Sequence, residues 1–311
     1  MRIVFLFIDG VGLRAPAPDN PVNPEVCPTL CRLIARHAVS IDACLAMPGL
    51  PQSATGQATM FTGVNAPVFM GRHCEGFPGP SLRKKIEEDN LFLQLKARGK
   101  RVRFADAYLI ESADELAARR FKSVTTVMAL TAPDVVSTID DLTDDAAVMQ
   151  DLTRETIQDR YPEIPMITPE DAAAHLFGIA RVNDFTLYEF FQTDVAGHSM
   201  DYGRACAVLR TYDRFLAALV RFTRAAGITV LLTADHGNVE EMNERGHTRN
   251  PVPFIAFGPR EEDFRAHVKS LVDITPAILR CDHGDFGVAV LDRLAREVLH
   301  HRRVVDQIVN R

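Results

Sequence analysis

The sequence predicts an α/β protein in which helices flank a mostly parallel central sheet. Short apolar runs bounded by Gly, Pro, Asp or charged residues alternate along the chain with longer stretches in which apolar residues recur every three or four positions. The first pattern is typical of buried parallel strands, and the second is typical of amphipathic helices. With 311 residues, 47% of them hydrophobic, the chain is long enough to bury a large core.

Six short apolar runs are predicted to be strands. In order, they are Ile3–Ile8, Val39–Leu45, Arg101–Ala105, Asp184–Phe191, Thr229–Thr233 and Pro253–Phe257. The first run resembles the start of a signal peptide, but Asp9 and Gly10 interrupt it before it reaches the length of a signal sequence. We therefore expect a first buried strand at this position.

Six stretches with helical periodicity are predicted to be helices. In order, they are Pro28–Ala38, Ala54–Thr62, Leu91–Arg98, Met200–Ala226, Val272–Leu279 and Val288–Val309. The last helix ends in a mixed basic and apolar segment, 299–311, which is typical of a surface or subunit-contact helix and leaves a homo-oligomer open. No segment reaches the roughly 18 apolar residues needed to cross a bilayer, so we expect no membrane association.

Residues 107–180 differ in pattern from the rest of the chain. They contain acidic stretches such as Asp140–Asp145, few strand patterns, and a proline-punctuated segment, Tyr161–Pro169. We expect a small insertion or cap, mostly helical, between the two parts of a core formed by residues 1–106 and 181–311.

Charge and cysteine content exclude several classes of protein. The net charge of −6 argues against the positive surface that nucleic-acid binding requires. The six cysteines are scattered, and none forms a C-x-x-C pair. This pattern indicates reduced thiols in a cytoplasmic protein, and neither a disulfide scaffold nor a zinc ribbon.

Carboxylate, imidazole and hydroxyl side chains occur where predicted strands end and loops begin, which is where open α/β sheets build their sites. Asp9 follows the first strand, the segment 193–198 follows the fourth, and Asp235 with His236 follows the fifth. Ser53 lies just before a predicted helix. An adjacent Asp-His pair at the end of a buried strand is hard to explain as packing, because both side chains are costly to bury unpaired.

Each of these features has an ordinary structural explanation when it is taken alone. An Asp-Gly pair often forms a turn, a serine often caps a helix, and a loop histidine such as His247 is often exposed and inert. Together they form a set of three carboxylates and three imidazoles: Asp9, Asp194, Asp235, His198, His236 and His247. Such a set suits two divalent transition ions such as Mn²⁺ or Zn²⁺, whereas Mg²⁺ or Ca²⁺ alone would prefer more oxygen ligands.

The same residues resemble motifs of the alkaline phosphatase superfamily, within it the branch of cofactor-independent phosphoglycerate mutase and phosphopentomutase. Leu232-Thr233-Ala234-Asp235-His236-Gly237-Asn238 followed by Glu240 is similar to that branch's metal motif, and His247-Thr248 with Pro251-Val252-Pro253 is similar to the segment after it. Thr193–His198 matches the branch's Asp-x-x-Gly-His segment. Ser53–Gly56 occupies the position of the nucleophile loop.

The resemblance implies a three-layer α/β/α sandwich of the alkaline phosphatase type with a two-metal site in its catalytic core. It implies one metal held by Asp194, His198 and His247, and another held by Asp9, Asp235, His236 and the hydroxyl of Ser53. It also implies that Ser53 is the nucleophile and forms a phosphoserine. Thr55 is less favoured, because the spacing to Thr59 and the place in the motif both favour Ser53.

Two departures from the branch bear on the reaction. Gln57 stands where the mutases usually have a histidine, and the insertion of about 75 residues is shorter than the mutases' cap. Because a mutase must retain its acceptor in a closed site, we favour hydrolysis of a small phosphate ester by a phosphatase or phosphoesterase. A phosphomutase is the alternative, and a metal-binding or regulatory protein without turnover is the second alternative.

Positively charged side chains near the motif loops are candidates for holding the rest of the substrate. They are Arg72, His73, Arg83, Lys84, Arg245 and Arg249. Arg72 and Arg249 are favoured, because they lie nearest to the motif loops in sequence.

Overall fold

A computed structural model describes residues 1–281, so the predicted helix Val288–Val309 lies outside the described residues. One sheet contains six strands in the spatial order β2-β6-β5-β1-β4-β3. The strands are β1 Ile3–Ile8, β2 Ala38–Ile41, β3 Val102–Phe104, β4 Phe185–Phe190, β5 Thr229–Thr233 and β6 Val252–Phe257. The described residues thus contain a strand in each of the six predicted regions.

The prediction of a mostly parallel sheet is confirmed. Strand β1 pairs in parallel with β4 on one side and with β5 on the other, and β3 pairs in parallel with β4. The exception is β6, which runs antiparallel to both β5 and β2. Because β1, β4 and β5 are parallel neighbours, the loops that follow them leave the same edge of the sheet.

Residues 1–281 form thirteen α-helices. They are α1 Pro28–His37, α2 Ser53–Thr62, α3 Ala66–Met70, α4 Pro80–Glu88, α5 Leu91–Ala97, α6 Ala113–Ala118, α7 Val124–Leu130, α8 Ile139–Thr143, α9 Pro169–Val182, α10 Gln192–Ser199, α11 Tyr202–Ala226, α12 Glu261–His267 and α13 Ile274–Cys281. None of these helices is long and apolar enough to span a membrane.

Helices cover both faces of the sheet, as expected for a three-layer sandwich. The rings of Phe5 and Phe7 on β1 contact Phe61 of α2. On the other face, Tyr188 of β4 contacts Phe215 of α11, which packs against α1 and α9. Successive strand residues point to opposite faces, so these aromatic contacts place α2 and α11 in different layers.

Two predicted boundaries were wrong for local reasons. The strand Val39–Leu45 ends at Ile41, because the carboxylate of Asp42 accepts hydrogen bonds from the backbone N–H groups of Cys44 and Leu45 and turns the chain. The helix Met200–Ala226 begins instead at Tyr202. Met200 has a φ of +54° and ends α10, and Asp201 then caps α11.

The segment 107–180 consists of helices joined by irregular loops and contacts both helix layers. It contains α6, α7, α8 and most of α9. Helix α7 packs against α2 and α4, whereas α9 packs against α11. A second apolar cluster, separate from the main core, is built around Leu142, Ala147 and Ile157. We keep the division into an insertion and a two-part core as a proposal.

Candidate metal centre

Carboxylates and imidazoles converge at the edge of the sheet where β1, β4 and β5 end. Asp9 directly follows β1, and Asp235 and His236 follow β5. Asp194 and His198 lie on α10, which begins two residues after β4 ends. The parallel register aligns the ends of these strands, and chain segments far apart in sequence therefore deliver their side chains to one place.

The first cluster contains Asp194, His198 and His247. The Nε2 atom of His198 lies 3.3 Å from Asp194 Oδ2, and the Nε2 atom of His247 lies 3.7 Å from Asp194 Oδ1. The two Nε2 atoms are 3.2 Å apart. Asp194 and His198 converge because residues four apart share one face of a helix.

The second cluster is centred on Nε2 of the buried His236. This atom lies 3.0 Å from Ser53 Oγ, 3.4 Å from Asp9 Oδ1 and 3.5 Å from Asp235 Oδ2. The structure therefore brings together the four side chains that the resemblance implies for one metal. Its side chains are more buried than those of the first cluster, where 48% of the His198 side chain is exposed.

Asp194 lies between the two clusters. One of its oxygen atoms is within 4.8 Å of donor atoms of Asp9 and His236, and another such group joins it to His198 and His247. The rings of His236 and His247 stack with their centroids 3.6 Å apart. The resemblance implied a single metal for Asp194, whereas its carboxylate lies within reach of the donor atoms of both clusters.

Burial shifts the pKa values of three residues of the second cluster, upward for the carboxyl groups and downward for the imidazole. Burial, together with the nearby charges of Asp235 and Asp194, raises the pKa of Asp9 well above its usual value. Burial also raises the pKa of Asp235 to about 6. Burial and then the neighbouring His247 lower the pKa of His236 to about 3, which keeps its imidazole neutral and able to donate a lone pair.

Divalent cations fit this set of donors. Oδ1 of Asp9 and Oδ1 of Asp235 are buried without a hydrogen-bond partner. Within residues 1–281, no lysine or arginine forms an ion pair with Asp9, Asp194 or Asp235. Clustered carboxylates that lack a counter-charge are costly to bury, and a divalent ion would supply the missing positive charge. The mixed oxygen and nitrogen donors suit Mn²⁺ or Zn²⁺.

Ser53 is not a helix cap. It is the first residue of α2, while Gln52 is the N-cap residue, and the Ser53 hydroxyl contacts His236. The hydroxyl of Thr55 is fully buried, donates to the carbonyl of Gln52 and accepts a hydrogen bond from the N–H of Cys74. The Thr55 hydroxyl is thus bonded to backbone groups on both sides.

Two side chains donate hydrogen bonds to carboxylates of the two clusters. Gln57, where the related mutases usually have a histidine, donates a hydrogen bond to Asp235 Oδ2 at 3.2 Å. Asn238 donates to Asp194 Oδ1 at 2.6 Å. Asn238 packs so closely against α10 that a Cβ atom on Gly197 would lie 2.5 Å from the Asn238 side-chain oxygen, so a larger residue there would displace the Asn238 amide.

Glu240 is a buried carboxylate whose role was not predicted from the sequence, although it lies within the quoted motif. It accepts hydrogen bonds from the N–H groups of Gly12 and Asn238, from the Thr248 hydroxyl and from the Asn250 amide. Three loops that border the metal centre are therefore joined through one side chain. Asn238, Thr248 and Asn250 lie within ten residues of Glu240, but Gly12 lies 228 residues away, and no local sequence signal identifies that bond.

We expect Glu240→Ala to lower the free energy of unfolding by about 3 kcal/mol, because two buried N–H groups would lose their acceptor. Urea unfolding of the variant and the wild type measures the difference. Glu241→Ala is the matched control, since Glu241 is partly exposed and its ion pair with Arg14 is long, at 3.7 Å. Similar losses in both variants would contradict the role assigned to Glu240.

A second unpredicted group of polar side chains lies beside the metal centre. Glu189 on β4 is buried and accepts a hydrogen bond from the Thr125 hydroxyl at 2.5 Å. Asp106 is also buried and accepts from the N–H of Glu189 at 2.9 Å. Burial raises the pKa of Glu189 to about 7, and burial with the Glu189 charge raises the pKa of Asp106 well above its usual value.

The raised pKa of Glu189 predicts a pH-dependent stability of the metal-free protein. The folded state binds the proton more tightly than the unfolded state does, so this contribution is present in full below pH about 4.5 and is lost as the pH rises through about 7. Urea unfolding in EDTA at pH 5 and pH 8 measures it. Relative to Glu189→Gln, the wild type should lose about 2 kcal/mol more between these pH values. Equal losses of stability in the wild type and in Glu189→Gln between these pH values would contradict the raised pKa of Glu189.

The two favoured substrate-binding candidates are both exposed. Arg249 follows the metal-binding segment, and its positive charge acts on His73 and Cys44. Arg72 lies two residues before Cys74, whose N–H is bonded to Thr55 on α2. Their roles in substrate binding stay predictions.

The mostly parallel sheet and the carboxylates and imidazoles at its edge define a metalloenzyme of the alkaline phosphatase-like class. The family model of the Metalloenzyme superfamily matches residues 1–281, and the chain belongs to this superfamily. A cold-active alkaline phosphatase from the psychrophile Shewanella sp. has a similar fold, with a TM-score of 0.54 at 13% identity over 90% of this chain and 99% of that chain.

Curated relatives are similar in sequence over a shorter part of the chain. The 2,3-bisphosphoglycerate-independent phosphoglycerate mutase of Moorella thermoacetica is 35% identical over 129 residues, which are 40% of this chain and 25% of that protein. The enzyme of the same name from Thermomicrobium roseum is 32% identical over 132 residues, 39% of this chain and 25% of that protein. The chain thus spans about a quarter of the length of these relatives.

Proposed function

We propose that this protein transfers the phosphoryl group of a small phosphate ester to Ser53 and then to water, using two divalent metal ions, Mn²⁺ or Zn²⁺. The observation that carries this proposal is the position of the Ser53 hydroxyl, 3.0 Å from the Nε2 atom of His236 and beside the carboxylates of Asp9 and Asp235. A serine hydroxyl is a poor nucleophile unless a base or a metal activates it, and here it lies among metal-binding side chains.

The side chains of the two clusters would form two metal positions. Asp194, His198 and His247 would hold one ion, and Asp9, Asp235, His236 and Ser53 would hold the other. When bound, such ions lower the pKa of a serine hydroxyl and offset the charge of the phosphate oxygens. Because the lowered pKa keeps the His236 imidazole neutral, it does not have to lose a proton before it binds an ion.

The proposed hydrolysis has two steps, transfer of the phosphoryl group to Ser53 and its transfer from Ser53 to water. Oγ of Ser53 gives its proton to solvent and attacks phosphorus, the ester P–O bond breaks, and the leaving group takes a proton from solvent. A water molecule then attacks phosphoserine 53, which releases orthophosphate and restores the hydroxyl. Arg72 and Arg249 are proposed to bind the remainder of the substrate.

One observation supports hydrolysis and another favours a mutase. Ser53 itself is partly exposed in the described structure, so water can reach a phosphoryl group at this position. An exposed phosphoserine is open to attack by water. Against this, the curated relatives are named phosphoglycerate mutases, and a phosphomutase is therefore the second candidate.

The two reactions give different products from the same substrates. The Mn²⁺-loaded or Zn²⁺-loaded protein is incubated with isotopically labelled sugar phosphates and glycerate phosphates. Release of labelled orthophosphate supports hydrolysis, whereas positional isomers without orthophosphate support a mutase. Metal binding without either product would overturn both candidates and favour a metal-binding or regulatory protein.

A further inference from the structure

A groove between helices α1 and α11 is lined with arginines. Its volume is about 480 Å³, which is within the range of small-molecule binding sites. Ala217 and Ala218 of α11 are among its lining residues, and their short side chains leave room between the two helices. We call this cavity the arginine groove, after five of its lining residues: Arg32 and Arg36 on α1, and Arg214, Arg221 and Arg224 on α11.

Two acidic side chains also line the arginine groove, but both already have hydrogen-bond donors. The carboxylate of Asp213 accepts hydrogen bonds from the N–H groups of Thr29 and Leu30 at the start of α1. The carboxylate of Glu170 accepts two hydrogen bonds from the Arg214 guanidinium, at 2.9 and 2.7 Å. Five positive charges against two negative charges leave the lining with an excess of three positive charges.

Four of the five arginines lack an acidic partner in the part of the chain that the structure describes. Within residues 1–281, no carboxylate forms an ion pair with Arg32, Arg36, Arg221 or Arg224. The guanidinium of Arg224 lies 5.9 Å from the centre of the Phe257 ring, which also lines the groove. Guanidinium groups bind phosphate-like oxygens through paired N–H donors, so both walls of the groove offer donors for an anion.

The arginine groove reaches the edge of the sheet opposite to the metal centre. Phe257 pairs with Val230 near the start of β5, whereas Asp235 and His236 follow the end of the same strand. Strand β5 has five residues, so roughly 16 Å separates its two ends. None of the residues that line the groove belongs to the two metal-binding clusters. A small ligand in the groove would therefore occupy a site separate from the metal centre.

We propose that the arginine groove is a second anion-binding site, and that its ligand is a small polyanion whose negative charges lie on several phosphate-like groups. The volume of the groove limits the ligand to a small molecule. The excess of positive charge, distributed over both walls, favours a ligand with several charged groups over one with a single charge. This inference does not rest on the proposed function, because the groove shares no side chain with the metal centre.

Inositol hexasulfate tests this inference without turnover, since it contains no phosphoryl group that Ser53 could accept. Isothermal titration of the Mn²⁺-loaded protein compares it with methyl sulfate, which carries one negative charge. We expect one inositol hexasulfate per chain, bound at least about tenfold more tightly than methyl sulfate. Arg36→Glu and Arg221→Glu each reverse one charge of the groove and should weaken inositol hexasulfate by about tenfold or more.

Arg204→Glu is the matched control, because it changes the net charge by the same amount at an exposed position of α11 that does not line the groove. It should weaken inositol hexasulfate by less than about twofold, since charges farther apart than the Debye length are screened. Arg36→Lys keeps the charge and should retain most of the affinity, which separates loss of charge from loss of fold.

Titration of the metal-free protein distinguishes the arginine groove from the metal centre. The affinity for inositol hexasulfate should be the same with and without Mn²⁺, because the groove contains no metal-binding side chain. Binding that requires Mn²⁺, or that is equal in the wild type and in the Arg36 and Arg221 variants, would place the polyanion elsewhere and overturn the inference. Equal losses in all three glutamate variants, or no saturation below about 1 mM, would also overturn it.

Discussion

Replacing Ser53 with alanine is expected to lower phosphoryl-transfer activity by roughly 10³-fold or more, while leaving the metal content mostly intact. The Ser53 hydroxyl is the group that attacks phosphorus in the proposed reaction. Its distance of 3.0 Å from Nε2 of His236 places it within the second cluster. Asp9, Asp235 and His236 remain in the variant to hold the ion. Steady-state turnover and elemental analysis of the same preparations measure both quantities.

Thr55→Val is the matched control for the nucleophile. It removes the other hydroxyl at the start of α2, whose bonds to Gln52 and Cys74 are structural. Turnover should stay within about tenfold of the wild type. Acid quenching of the wild type with a labelled phosphate ester should place the label on Ser53. Normal turnover by Ser53→Ala, or label on Thr55, would exclude Ser53 as the nucleophile.

The strands at the centre of the sheet were predicted well from sequence. The bounds of β1 and β5 agree with the predicted runs Ile3–Ile8 and Thr229–Thr233. Both are uninterrupted buried segments that end at an Asp or a Thr-Ala-Asp sequence, so local hydrophobicity alone defines them. The direction of β6 was not evident, because hydrophobic periodicity does not report whether a strand runs parallel or antiparallel to its neighbours.

Helix α10 was missed because tertiary contacts stabilise it. Its sequence includes Thr193, Asp194 and Gly197, residue types with weak intrinsic helix preference. The Thr193 hydroxyl donates to the carbonyl of Asp9, and Asn238 packs against Gly197. These partners lie about 184 and 41 positions away in the chain, beyond any local sequence pattern.

The short helices of residues 107–180 were missed for another reason. Helices α6 and α8 have only six and five residues, too few to show a helical period. Their presence depends on local capping, such as the reciprocal hydrogen bonds between Thr138 and Asp141 at the start of α8.

The composition of the metal centre could be inferred from the positions of side chains at strand ends, but its connections could not. Seven predicted metal-binding side chains, from Asp9 to His247, lie in the two clusters described above. The hydrogen bonds by which Glu240 joins three loops, and the position of Asp194 between the two clusters, depend on the three-dimensional arrangement of these loops. Such relations appear only once the register of the sheet is known.

The central position of Asp194 leads to a prediction about metal stoichiometry. The wild type should bind about two divalent ions per chain. Asp235→Ala should lose about one of them, because Asp235 contacts His236 in the second cluster. Asp194→Ala should lose both ions and at least 10²-fold in activity, since its carboxylate lies within reach of the donors of both clusters. Elemental analysis after loading with Mn²⁺ or Zn²⁺ and gel filtration gives the ratio for each protein.

Asp134→Ala serves as the control, because its carboxylate is 69% exposed and pairs with Lys96 away from the metal-binding segments. It should retain both ions. If Asp194→Ala still holds one ion, the carboxylate belongs to a single metal, as the resemblance alone implied. If it holds none while Asp235→Ala holds one, Asp194 couples the two positions. Loss of the ion at the first cluster would then also weaken the binding of the ion at the second cluster. Activity should therefore rise with metal concentration more steeply than a single binding site allows.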